Sequence, residues 1–166
     1  MGHPVLRAKA KALTPAEIRR PVLQQLVDDM IDTMHEYQGI GLAAPQIHES
    51  IRMFVAGIEG KGDELKVLPF FNPVITRVGD ALVEDWEGCL SIPDIRGRVP
   101  RARDIIVRAL DRNGESFELT LSGFPARVVQ HEADHLDGVL FFDRMSTFET
   151  LAFLDEYTRF WTEDRS

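Results

Sequence analysis

Five consecutive residues constrain this chain more than any others: His131-Glu132-Ala133-Asp134-His135. On a helix, residues four apart lie one above the other on the same face, so both imidazoles can reach one metal ion. Glu132 then stands beside the first ligand. There it can take a proton from a water that the metal activates and return it to a leaving group. The bland alternative is an exposed helix that happens to spell the pattern. The neighbours argue against it: Val128, Val129 and Leu136 make the helix partly buried, and two buried histidines without a metal or partners would be costly. The helix is expected from about residue 126 to residue 137, with Gly138 as its stop.

A catalytic metal needs a third protein ligand and an open position. The extended zinc-protease pattern HExxHxxGxxH holds through Gly138 but meets Phe141 at its last position, so that scheme fails. A thermolysin-like scheme would draw on Glu149 or Glu156, and an exposed helical Glu is far more often plain surface. The remaining candidate is Cys89, the only thiol in the chain, in Glu87-Gly88-Cys89-Leu90-Ser91-Ile92-Pro93. A lone Cys is usually a small buried residue. Paired with two histidines it completes a set of three, and its softness suits iron(II), cobalt, nickel or zinc over magnesium or calcium.

The rest of the chain reads as α+β, with helices gathered against mostly antiparallel strands. Thr14-Pro15-Ala16-Glu17 is a capping box with Pro at the first helical position. Pro21 opens a longer helix whose apolar residues run to Met34 at helical spacing, with Gly39 as its stop. Strands are expected at 53–58, 67–71, 74–75, 104–110 and 116–121. Asp111-Arg112-Asn113-Gly114 favours a tight hairpin between the last two. A final helix is expected over about 148–161. With 166 residues, a net charge of −8 and 44% apolar residues, the chain is expected to be one acidic, soluble domain over 1–166. That balance argues against coating nucleic acid. No apolar run reaches the length of a membrane span, and one cysteine fits a reducing cytoplasm.

A third island is Gly39-Ile40-Gly41-Leu42-Ala43-Ala44-Pro45-Gln46. It is a poor phosphate cradle, because it follows a helix and lacks the third glycine. Small residues let another chain approach closely, and Gln46 can offer an amide donor to a developing oxyanion. Together the islands resemble the peptide deformylases, whose motifs read GxGLAAxQ, EGCxS and QHExxH. They stand here as 39–46, 87–91 and 130–135, in the family's order, and the similarity runs from about Gly2 to Asp143, nearest to the bacterial and plant-organelle forms.

The resemblance implies antiparallel sheets around the HExxH-bearing helix, with a C-terminal helix. It also implies one divalent metal, typically iron(II), held by Cys89, His131 and His135, with zinc, nickel or cobalt as other ions the set suits. Glu132 would be the general acid/base, and Gln46 with the backbone N–H of Leu90 would hold the oxyanion. Ile40, Gly41 and Gly88 would line the site, the Gly41 backbone pairing with an extended substrate. Glu87 and Arg96 look like supporting or pocket-rim groups, although a surface ion pair is the simpler reading of Arg96. The implied substrates are the N-formylmethionyl peptides of nascent chains, and the implied products are formate and a free N-terminus.

Three departures matter. The family usually carries several residues before Gly-x-Pro-x-Leu-Arg, so the first strand is expected to be short or absent. Arg127, one turn before His131, replaces an aliphatic residue of several relatives; its stem lines the methionine pocket, or it points to solvent. Residues 147–166 hold five acids against Arg159 and Arg165, which argues against docking on ribosomal RNA by a basic C-terminal helix. Two rival readings are a peptidase using Glu149 or Glu156, and a binding module without catalysis.

Overall fold

The structure is a computed structural model that describes residues 1–59 and 65–162. Its elements, in chain order, are α1 (Pro15–Ile18), α2 (Pro21–Glu36), β1 (Gly41–Ala43), β2 (Met53–Glu59), β3 (Leu65–Cys89), β4 (Ile92–Leu110), β5 (Ser116–Ser122), α3 (Gly123–Leu136), β6 (Ala152–Phe153) and α4 (Leu154–Phe160). Strands β1 to β5 form one sheet in sequence order, every pair antiparallel. The N-terminal stretch contributes a 3-10 turn at Pro4–Arg7 and a single parallel bridge from Lys11 to Ile51.

Alternation along β2 explains the layering. Met53 and Val55 pack with Val27, Met30 and Met34 of α2, whereas Phe54, Ala56 and Ile58 pack with Ala126, Val129 and Leu136 of α3. Successive side chains of a strand point to opposite faces, so the two helices cover opposite sides of the sheet. Burial on both sides accounts for the unbroken apolar run of this strand.

The helix ends follow local chemistry. At α1, Thr14 Oγ1 accepts from Glu17 N–H and Glu17 Oε2 accepts from Thr14 N–H, the expected capping box. Helix α2 closes with Gly39 N–H on Met34 O and Gln38 N–H on His35 O. The left-handed residue is therefore Gln38 (φ 53), one before the glycine expected to stop it. Helix α3 repeats the closure at Gly138 (φ 70), with Val139 N–H on Asp134 O. Its terminal carbonyl at Leu136 also accepts from Ala10 N–H and Arg52 Nη1, so the N-terminal segment satisfies groups the helix leaves open.

Four expectations change. The strands expected at 67–71 and 74–75 belong to one element of 25 residues, interrupted by a register shift between Phe71 and Val74. There Asn72 turns its amide to Leu13, donating to its O and accepting from its N–H. Second, β3 and β4 continue as a paired ribbon through 78–103, a stretch outside the strand ranges expected from the sequence. Third, the 111–114 turn widens to residues 111–115, with Asp111 Oδ1 accepting from Asn113 and Glu115 N–H. Fourth, the C-terminal helix starts only at Leu154, because Ala152 and Phe153 pair with Arg96 and Ile95 along the open edge of β4. Glu163, Asp164 and Arg165 of the acidic tail lie outside the described residues.

Candidate active site

The β3–β4 ribbon ends in a turn of two residues, Leu90-Ser91, so that Cys89 stands at the last position of β3 opposite Ile92. This hairpin tip meets α3 where His131 and His135 share a face. One donor atom each from Cys89, His131 and His135 lies within 4.8 Å of the others, and Cys89 Sγ is 3.3 Å from His135 Nε2. Glu149 and Glu156, the rival third donors, are exposed and stand outside this group among the described residues.

His131 is oriented from behind, its Nδ1 lying 2.9 Å from Glu87 Oε2. Such a carboxylate partner fixes the ring and leaves Nε2 to face a ligand. Glu87 is itself buried, and also accepts from Arg101 Nε (2.9 Å) and Nη2 (3.0 Å) and from Arg127 Nη1 (2.7 Å). Burial alone would raise its pKa; the hydrogen bonds with His131 and Arg101 overcome that and hold the carboxyl at about 2. Glu87 is thus no rim group. Arg101 continues the chain of charges to Asp134 (2.5 Å), which also pairs with Arg144.

Glu132 lies beside the donors, and its Oε2 and His135 Nδ1 are the buried side-chain atoms without a hydrogen-bond partner among the described residues. Burial pushes the Glu132 carboxyl up to about 7, against the pull of His131. Burial likewise brings His135 down to about 3, helped by the charges of His131 and Arg101. Gly41 is small for a reason: a Cβ there would overlap Glu132 Oε1 and stand 2.7 Å from its Cδ. Gln46 is equally constrained. Its Oε1 accepts from Ala43 N–H (2.8 Å), which turns Nε2 toward Cys89 Sγ (3.5 Å) and Ser91 Oγ (3.2 Å).

A cavity of about 620 Å³ opens over these groups, with Ile40, Gly41, Gly88, Leu90, Arg96 and Arg127 in its lining, a volume in the range of roughly 300–1,000 Å³ that holds small ligands. Arg96 crosses directly over Gly88, where a Cβ would overlap its guanidinium. It makes no ion pair among the described residues and donates to Ile95 O (3.0 Å). Arg127 does not point to solvent: it is 6% exposed, and besides Glu87 it donates to Val99 O (2.8 Å) and Val83 O (2.6 Å). Sequence reasoning assigned no role to Arg101, although it shares the inward face of β4 with Val99 two residues earlier. A basic residue on a buried face was the available signal. Trp86 and Leu154 also line the cavity and had no such signal.

The three islands that converge here are matched along the whole chain. A family model described as Polypeptide deformylase covers residues 1–150. Peptide deformylase 2 of Nostoc sp. is 40% identical over 169 residues, which covers 99% of this chain and 93% of that protein. The chloroplastic peptide deformylase 1B of Solanum lycopersicum is 44% identical over 146 residues, 86% of this chain and 50% of that one. A class I type b peptide deformylase from Acinetobacter baumannii, solved with Met-Ala-Ser bound, superposes with a TM-score of 0.82 at 38% identity, covering 87% of this chain and 94% of that one. Arabidopsis thaliana peptide deformylase 1B gives 0.81 at 42% identity over 95% and 83%. Sequence, fold and the meeting of the same three islands at one cavity agree: the chain belongs to the polypeptide deformylase family, metal-dependent enzymes that remove the formyl group from N-terminal formylmethionine.

Proposed function

We propose that residues 1–166 act as one catalytic domain that hydrolyses the formamide bond of N-formylmethionyl peptides of nascent chains. In this reading Cys89, His131 and His135 hold one divalent metal ion, Glu132 carries the proton, and Gln46 and the Leu90 N–H bind the oxyanion. The observation that carries it is the grouping of three donor atoms within 4.8 Å beside a buried, unpartnered carboxylate oxygen of Glu132.

The residues fit a metal. One thiol and two imidazoles make a three-donor set with a place left open, and the Glu87 carboxylate at His131 Nδ1 leaves that ring's Nε2 to face an ion. The softness of the set and the family resemblance favour iron(II), with zinc, nickel and cobalt as the alternatives. Bound there, the ion supplies Lewis acidity, which polarises a carbonyl and brings the pKa of a water toward neutrality.

The chain's own groups do the rest. Glu132, with its pKa near 7, accepts the proton of the attacking water and hands it to the departing amine. Gln46 Nε2 is already aimed at the centre by the Ala43 bond, so stabilising the oxyanion costs no reorganisation. β1 is an edge strand of the sheet, and Gly41 lets an extended peptide approach and pair with it. Arg96 and Gly88 form the rim. The acidic composition favours no docking on nucleic acid, and a single cysteine fits a cytoplasmic setting.

The test is formate release from a formyl-Met tripeptide by protein purified without oxygen, with metal measured in the same sample. Release is expected to track bound iron. Glu132→Ala should keep the metal and lose about 10²- to 10⁴-fold in kcat, and Cys89→Ala should lose the metal. A fully metallated protein that releases no formate overturns the reading.

A further inference from the structure

The C-terminal arm is fastened to the hairpin that carries Cys89. Arg98 N–H donates to Thr150 Oγ1 (3.2 Å), Ala152 and Phe153 pair with Arg96 and Ile95, and Tyr157 and Trp161 pack their rings on Trp86 at 4.8 and 5.4 Å between centroids. This places Leu154, the first residue of α4, in the wall of the same cavity as Glu132 and His131, a wall to which Trp86 also contributes. Helix α4 buries no residue fully, and Phe153 and Phe160 stay exposed. What the arm does present inward is an apolar surface at the cavity.

Distance decides which part of a substrate that surface meets. Trp86 is three residues before Cys89 on an extended strand, roughly 10 Å at 3.3 Å per residue. An extended peptide whose formyl carbon sits at the Cys89 end covers the same length with about three residues. Trp86 also shares its strand face with Gly88, two residues on, where a side chain is missing and Arg96 lies across. The Arg96 guanidinium therefore covers the strand at Gly88, and Trp86 is the next side chain on this face that lines the cavity.

Resting on the reading that formylmethionyl peptides bind here, we infer that the C-terminal arm is part of the substrate site, Leu154 and Trp86 forming an apolar subsite for the side chains of the second and third residues. The enzyme then prefers large apolar or aromatic residues there. The continuity of this wall with the reactive centre argues for the substrate itself, and not another protein, as the occupant.

The experiment compares formyl-Met-Leu-Phe with formyl-Met-Gly-Gly on the metal-loaded full chain, for the wild type, Leu154→Ala and Leu154→Met. The wild type should favour the Leu-Phe peptide by about tenfold in kcat/KM, carried by KM. Leu154→Ala should bring that ratio toward one, and Leu154→Met should restore it. Damage to folding alone lowers both peptides alike and leaves the ratio intact; that result, or a wild-type ratio near one, overturns the inference. A second readout is independent of turnover. Trp86 and Trp161 are the chain's two tryptophans, so unformylated Met-Leu-Phe should change the intrinsic fluorescence at concentrations where Met-Gly-Gly does not. That change without formate release from any peptide supports the subsite and sinks the hydrolytic reading; formate release with equal KM for both peptides does the reverse.

Discussion

Replacing Glu87 by Gln removes one charge from a chain of ion pairs that is buried through Arg127, Glu87, Arg101 and Asp134 and reaches the surface at Arg144. In the folded protein the Glu87 carboxyl is held at about 2, against an ordinary value of 4.5. The depressed value means that the ionised form stabilises the fold, fully above pH 4.5 and progressively less as pH falls toward 2. The difference of about 2.5 units corresponds to roughly 3 kcal/mol at pH 7 and to about 1.4 kcal/mol at pH 3. An independent figure, about 3–5 kcal/mol for removing one partner of a buried ion pair, gives the same scale. The lower end is expected, because Arg101 keeps Asp134 and Arg127 keeps two carbonyl acceptors. For a chain of this length the loss corresponds to a melting temperature about 6–12 °C lower at pH 7. Urea unfolding of metal-stripped wild type and Glu87→Gln between pH 4 and 7 checks it, with the gap narrowing toward acid. A variant within about 0.5 kcal/mol of wild type at pH 7, or a gap that widens toward acid, would refute the reasoning.

Three further substitutions probe the site and its support. Gly41→Ala drives a methyl group into the Glu132 carboxylate; kcat for formyl peptides should fall about a hundredfold with metal content unchanged, and a loss below threefold would mean that Glu132 can move aside. Gln46→Glu keeps the acceptor for Ala43 N–H but turns the donor facing Cys89 into an oxygen. It should cost about 10²- to 10³-fold in kcat, and near-normal turnover would remove Gln46 from the oxyanion site. Gly138→Ala puts a side chain at φ 70 and a Cβ 2.6 Å from Arg7 O; it should lower stability by about 1–3 kcal/mol in denaturant titrations, and an unchanged midpoint would show that the N-terminal turn yields freely.

Much of the site was legible because its parts are local. The i, i+4 histidines, the capping box at Thr14 and the glycine after α3 are short-range patterns whose geometry follows from 3.6 residues per turn and from backbone sterics. The run 53–58 was legible as a strand because β-branched and aromatic residues fit a pleated surface. The ribbon through 78–103 was not, since its Gly79, Pro93, Gly97 and Pro100 are residues that strands ordinarily avoid. Gly79 and Pro93 fall in the register shifts at Val78/Leu82 and Glu87/Cys89, whereas Gly97 and Pro100 pair in register with Glu87 and Glu84; both arrangements depend on the partner strand.

Which side chains meet was a matter for the tertiary structure. Cys89 and His135 are 46 positions apart, and a spacing of that size carries no distance of its own. In the sequence Arg101 has no assigned role and Arg127 has two, pocket lining or solvent, until Glu87 is placed between them. In isolation each would be too costly to bury; together their hydrogen bonds offset the desolvation. The C-terminal arm makes the same point. Its residues predict a helix, but the open edge of β4 binds Ala152 and Phe153 through backbone groups that any side chain carries. Local order in this protein follows from residue identity, whereas the cavity and its charges follow from which elements the packed sheet brings together.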